Sequence, residues 1–168
     1  MGSDIKQERQ LLQALEQQRA EKAWAQVSGV DGNKGKEYHT LVRQAPAMIK
    51  MNGVGQMLAF LLAKEKKDAQ DVRQKNKDQL GAPGLLYKHL EEWLIGDEGG
   101  TSTVEDERIR HLKAPIPWKK TDKPTVIQRV VEEDSTIYRQ ATREALAYLG
   151  WLKRFAEARF GKEATQGG

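Results

Sequence analysis

The sequence predicts an all-α, single-domain bundle of about six helices, with a long irregular loop before the fifth. Three observations predict it. Apolar residues recur at three- and four-residue intervals through most of the 168 residues. No stretch alternates apolar and polar residues as a half-buried strand would, and no repeat of solenoid length is present. Gly, Pro and Asn cluster at the few points where the periodicity stops. A length near 150 residues is typical of one domain, so residues 1–168 read as a single unit.

The first helix is expected over about Asp4 to Val27, where Ile5, Leu12, Leu15, Ala23, Trp24 and Val27 keep helical spacing among good helix formers. Ser28 to Asn33 breaks it. The second runs from about Gly35 to Met51, with Tyr38, Leu41, Val42, Ala45, Met48 and Ile49 on one side and Pro46 expected to kink it. Asn52-Gly53-Val54-Gly55 makes a tight junction into a third helix, expected from about Gly55 to Lys77. Gly81 and Pro83 stop that helix and start a fourth, Pro83 to Ile95, with proline in a permitted first-turn position. Residues 96–125 read as an irregular insertion, acidic and glycine-containing at first, then basic with Pro115, Pro117 and Pro124. A short fifth helix, about Val126 to Glu133, leads to Asp134-Ser135, a good N-cap pair. The last helix, about Ser135 to Phe160, gathers Ile137, Ala141, Ala145, Tyr148, Leu149, Leu152, Phe155 and Ala156 on one arc of roughly a third of a turn. A disordered tail is expected over 161–168. Trp24, Trp93 and Trp151 lie on helix faces and are expected in the core.

Composition excludes several chemistries. With no cysteine there is no disulfide scaffold, thiolate metal site or cysteine nucleophile. The longest apolar run, Met57 to Ala63, is far short of the roughly 20 residues of a membrane span, and no secretory core opens the chain. A soluble, cytoplasmic protein is expected. Gly29 and Gly35-Lys36 have five residues between the glycines where a phosphate-binding loop needs four, and Glu37 replaces its Ser or Thr. Gly53-Val54-Gly55 lacks the third glycine of a dinucleotide fingerprint, since Leu58 stands there. Residues 31–42 fail as a calcium loop at Lys36 and Val42. His39, His89 and His111 sit singly on different elements, and His89 with Glu92 is only a two-ligand pair. No catalytic residue, metal site or cofactor is expected, and the chain does not read as an enzyme.

Charge is segregated. Residues 34–88 hold 11 basic and 5 acidic residues, 89–107 hold 7 acidic and no Lys or Arg, and 108–131 hold 7 basic and 1 acidic. Within this pattern Lys36, Arg43 and Lys50 recur every seven residues, drifting only about 20° per step around a helix. Lys66, Arg73 and Lys77 would lie within roughly 40° of one another on a continuous third helix, and Arg139, Arg143 and Arg154 within about 60° on the last, with Lys153 at the edge. Such rows suit a phosphate backbone, because each contact releases counterions. An ordinary solvated face gives the same pattern, and Glu157 is placed to pair with Lys153 four residues before it. Trp118 stands among lysines in the proline-rich connection, where it either stacks on an unpaired base or pins its loop to the core.

Two segments resemble a known family. Leu41 to Leu61 (LVRQAPAMIKMNGVGQMLAFL) and Tyr138 to Ala156 (YRQATREALAYLGWLKRFA) are similar to the small subunit of the type III-B CRISPR complex, the Cmr complex. With the opening helix the likeness spans most of the chain, and it is weakest over 96–125. The resemblance implies a non-catalytic helical subunit of an RNA-guided antiviral ribonucleoprotein. It would stack with further copies of itself into a minor filament beside the backbone and large subunits, lining the channel that holds guide RNA and target RNA. The basic rows are the expected RNA contacts. At the junction Asn52, Gly53, Gly55 and Gln56, glycine lets another helix or a sugar-phosphate strand approach closely, or simply meets the angles of a helix–helix turn. The acidic block Glu91 to Glu107 is expected to meet the basic rows of a neighbour. The competing expectation is a helical adaptor whose basic face binds an acidic protein and never RNA.

Overall fold

The structure, a computed structural model, describes residues 2–96, 115–119 and 122–166. These form seven α-helices and one 3₁₀ turn, with no strand among the described residues. The helices are α1 (Gly2–Ser28), α2 (Gly32–Asn52), α3 (Val54–Glu65), α4 (Ala69–Gln74), α5 (Ala82–Ile95), α6 (Val126–Glu132) and α7 (Ser135–Gln166), and the 3₁₀ turn is Lys77–Gln79. No helix among them is long and apolar enough to cross a membrane.

Local chemistry places the helix ends. Asp31 caps α2 by accepting from the Asn33 amide at 3.0 Å, so this helix begins three residues before the apolar period does. It runs through Pro46 to Asn52. Asp134 caps α7, accepting from the Thr136 and Ile137 amides at 2.9 and 3.0 Å. That helix continues to Gln166, into the stretch expected to be tail. Gly53 closes α2 and opens α3 with φ 91°, a conformation that excludes a side chain.

One element differs from the sequence reading. The expected third helix, Gly55 to Lys77, is three pieces. Lys66 turns left-handed (φ 61°, ψ 39°) and ends α3, and Asp68 starts α4 by accepting from the Asp71 amide at 2.9 Å. Glu65 is drawn away to serve another helix: its carboxylate accepts from the Gly81 and Gly84 amides, both at 2.8 Å, at the start of α5. Those amides have no partner within their own helix, so a carboxylate there satisfies donors and meets the positive end of the helix dipole.

α5 is the central helix, buried on nearly every side. Around it pack Tyr38, Leu41 and Val42 of α2, Leu58 and Leu61 of α3, and Tyr148, Leu149 and Leu152 of α7. The core also holds polar groups that find partners. Glu144 accepts from Arg19 at 2.8 and 2.7 Å and from the Trp93 indole at 2.9 Å, which fastens α1 to α5 and α7. Gln26 of α1 donates to the His89 carbonyl at 3.1 Å and accepts from the Tyr148 hydroxyl.

Two of the four tryptophans sit elsewhere than expected. Trp24 is 54% exposed, edge-on against Phe155, and Trp151 is half-buried, while Trp93 is in the core. α1 packs through its C-terminal half only, leaving residues 2–13 exposed along their whole circumference. Trp118 is buried, and its indole donates to the Leu94 carbonyl at 2.9 Å. It pins the connection to the core, and that burial removes the ring face a base would stack on.

Candidate nucleic-acid interface

The interface begins with how α2 and α7 cross. They run antiparallel, with Gly35 beside Phe160, Arg43 and Gln44 beside Lys153, and Gly53 beside Tyr138. Gly35 makes the crossing possible, since a Cβ there would lie 2.2 Å from the Phe160 ring. Each helix turns its apolar arc inward and its basic row outward. Lys36, Arg43 and Lys50 are exposed along α2 at intervals of about 10.5 Å, two helical turns. Arg139, Arg143, Lys153 and Arg154 are exposed along α7, facing away from its core residues. Two rows that are separate in sequence therefore lie on helices packed side by side, and Arg43 and Lys153 meet at the cleft between them.

Their charges are not neutralised by any of the described residues. Among the described residues, none of these seven side chains makes a hydrogen bond or ion pair. Lys153 and Glu157 do not pair, although their spacing permits it. Between the helices an open cleft of about 360 Å³ is lined by Thr40, Arg43, Gln44 and Lys153. Beside it, His39 is buried with its Nε2 unpartnered. Its pKa is held below the ordinary histidine value, first by burial and then by the nearby charge of Arg43, with Lys153 acting the same way and Glu157 opposing. The same burial and the same neighbouring cations thus disfavour a further positive charge on the imidazole.

The third expected row does not form. Lys66 caps α3, Arg73 lies half-buried on α4, and Lys77 starts the 3₁₀ turn, where it pairs with Glu92 at 3.8 Å. The roughly 40° arc assumed one continuous helix, and the break at Lys66 removes it. Cations in this region hold the fold instead. Lys88 donates to the Arg73 and Lys75 carbonyls, and Lys34 to the Lys77 and Asp78 carbonyls.

The glycine junction is occupied from within. A Cβ on Gly53 would lie 2.5 Å from the Tyr138 hydroxyl, which accepts from the Gly55 amide at 3.4 Å. The close approach that these glycines permit is made by α7, with Asn52 and Gln56 exposed beside it. The acidic block is also partly consumed. Glu91 is buried and accepts from the Val126 amide at 3.0 Å, its pKa raised by burial, and Glu92 binds Gln26 and Lys77. Its remaining acids, within 97–107, lie outside the described residues. His89, which sequence pairs with Glu92, has Nδ1 2.8 Å from the Tyr38 hydroxyl and is fully buried. Sequence reading missed Thr40 and Gln44 as cleft residues; their adjacency to Arg43 in register was the available signal.

A helical chain with exposed cations on two packed helices, α2 and α7, fits many proteins, and comparison narrows the choice. The family model described as CRISPR-associated protein (Cas_Cmr5) matches residues 15–159. The chain belongs to that family. It is therefore a structural subunit of the Cmr complex of CRISPR defence, associating with other subunits of that complex. The match begins at Leu15, where α1 starts to pack against the core, and leaves out the exposed residues before it.

Proposed function

We propose that this chain is a non-catalytic subunit of an intracellular antiviral ribonucleoprotein, stacked with further copies of itself in the minor filament. Its α2–α7 groove lines the channel in which target RNA pairs with guide RNA. The observation that carries this reading is the contrast in charge use. Lys36, Arg43, Lys50, Arg139, Arg143, Lys153 and Arg154 stand exposed on one pair of helices without partners among the described residues. A phosphate backbone supplies the missing anions in a row, and contact with it positions RNA without reading its sequence.

The test is binding of a fluorescent single-stranded RNA of about 40 nucleotides, long enough for several contacts, to the assembled complex over a range of salt. The quadruple variant Arg43→Ala, Lys50→Ala, Arg139→Ala and Arg143→Ala is expected to weaken retention. It should also flatten log affinity against log salt by roughly 0.7 for each phosphate that is no longer neutralised. An unchanged slope takes the groove out of the RNA channel and favours an acidic protein partner for the same face.

A further inference from the structure

α7 contains a glycine that no packing among the described residues requires. Gly150 lies near the middle of the 32-residue helix, where glycine costs stability because it orders more backbone and packs nothing. The other tightly placed glycines are explained by their neighbours. A Cβ would strike Phe160 at Gly35, Tyr138 at Gly53 and Glu65 at Gly84, all within 2.7 Å. At Gly150 a Cβ would meet nothing within 4 Å among the described residues, and the residue is exposed. Its position is not arbitrary. At about 100° per residue it falls at the centre of the arc set by Arg139, Arg143 and Arg154, and it is one turn from Lys153, which walls the cleft with Arg43.

We propose that the sugar-phosphate backbone of bound RNA crosses α7 over Gly150 and seats one phosphate in the adjoining cleft between Arg43 and Lys153. This rests on the proposed channel role and adds a crossing point and a phosphate seat to it. The missing side chain lets the strand reach the helix surface, bringing its phosphates within reach of cations on both sides. A packing protein helix would fit the same bare surface, but it would bury several unpaired cations at a desolvation penalty that phosphates offset directly.

The test compares Gly150→Ala and Gly150→Gln with the double variant Arg143→Ala/Arg154→Ala, using the full chain alone for stability and the assembled complex for RNA binding. Gly150→Ala should raise the Tm of the free chain by about 2–3 °C. Both glycine variants should weaken the 40-nucleotide RNA, roughly threefold for Ala and tenfold for Gln, with the salt slope unchanged because no charge is lost. The arginine pair should flatten that slope by about 1.4. If Gly150→Gln binds RNA like the wild type while the arginine pair is weakened, the crossing point is wrong and the channel role stands. If both bind like the wild type, the channel role itself falls. If Gly150→Gln fails to enter the complex while the arginine pair enters normally, a protein helix packs on Gly150 and the inference is overturned.

Discussion

The charges at the junction of α1, α5 and α7 and those on the α2–α7 groove are made of the same residue types and behave in opposite ways. Arg19 and Glu144 are nearly buried, bonded to each other, and Glu144 also takes the Trp93 indole. Arg43, Arg143 and Arg154 are exposed and, among the described residues, bonded to nothing. The first set is part of how the bundle holds together, because removing one partner strands a buried charge. The second set adds mutual repulsion and, among the described residues, no bonded partner. Cations kept free along one groove are what a surface needs when its counter-charges arrive from outside the chain.

The sharpest way to break this comparison is to remove Glu144. Glu144→Ala leaves the Arg19 guanidinium with only its Glu16 partner and the Trp93 N–H without an acceptor, and should cost about 3 kcal/mol by urea denaturation. Glu144→Gln, which keeps an acceptor for Trp93, should cost less. The crossing that brings the two rows together is the next target. Gly35→Ala drives a methyl into Phe160, which is 2% exposed and hemmed in, for a loss of about 2 kcal/mol.

A smaller effect comes from a group that the fold keeps uncharged. Burial in α5 pushes the His89 pKa down to about 3, with the charges of Lys77, Lys22 and Lys88 acting the same way. The unfolded chain titrates near 6.5, so as pH falls it takes up the proton before the folded state does. This contribution to stability is fully present above about pH 6.5 and is lost as pH falls toward 3. Between pH 7.5 and 5.5 the loss is about 1.4 kcal/mol, readable as a shift in urea midpoint. The depressed pKa of His39 works in the same direction. Smallest of all should be the stability effect of the groove. Single alanine substitutions at Arg43, Arg143 or Arg154 should stay within about 0.5 kcal/mol of the wild type, while each should flatten the RNA salt slope by roughly 0.7. Stability losses there comparable to Glu144→Ala would erase the distinction between the two sets.

How legible the fold was depended on whether the cause was local. The Asp134 cap, the Pro83 start and the apolar arc of α7 stand within a few residues of the structure they produce, and each was readable. The break after Glu65 was not, because Lys66 adopts the left-handed conformation without being glycine, and because Glu65 turns to serve α5, sixteen residues on. Asp68 as an N-cap was the one local sign of it. Trp24 left its expected place in the core, and the choice left open for Trp118 was settled in favour of the core, both for a related reason. Periodicity puts Trp24 on an apolar arc, but α1 packs along part of its length only. The polar segment around Trp118 hides the Leu94 carbonyl that holds it.

The candidate site divides along the same line. Sequence by itself determined that the chain is helical and that basic residues recur in register on α2 and α7, because both follow from a 3.6-residue period acting over one helix. Tertiary structure alone decided which rows became a surface. It joined the α2 and α7 rows across a crossing at Gly35, broke the third row at Lys66, took Lys77 into an ion pair and filled the Gly53 junction with Tyr138. Whether a charge is free or spent depends on what lies within about 4 Å in space, and that distance is set by packing between helices far apart in the chain.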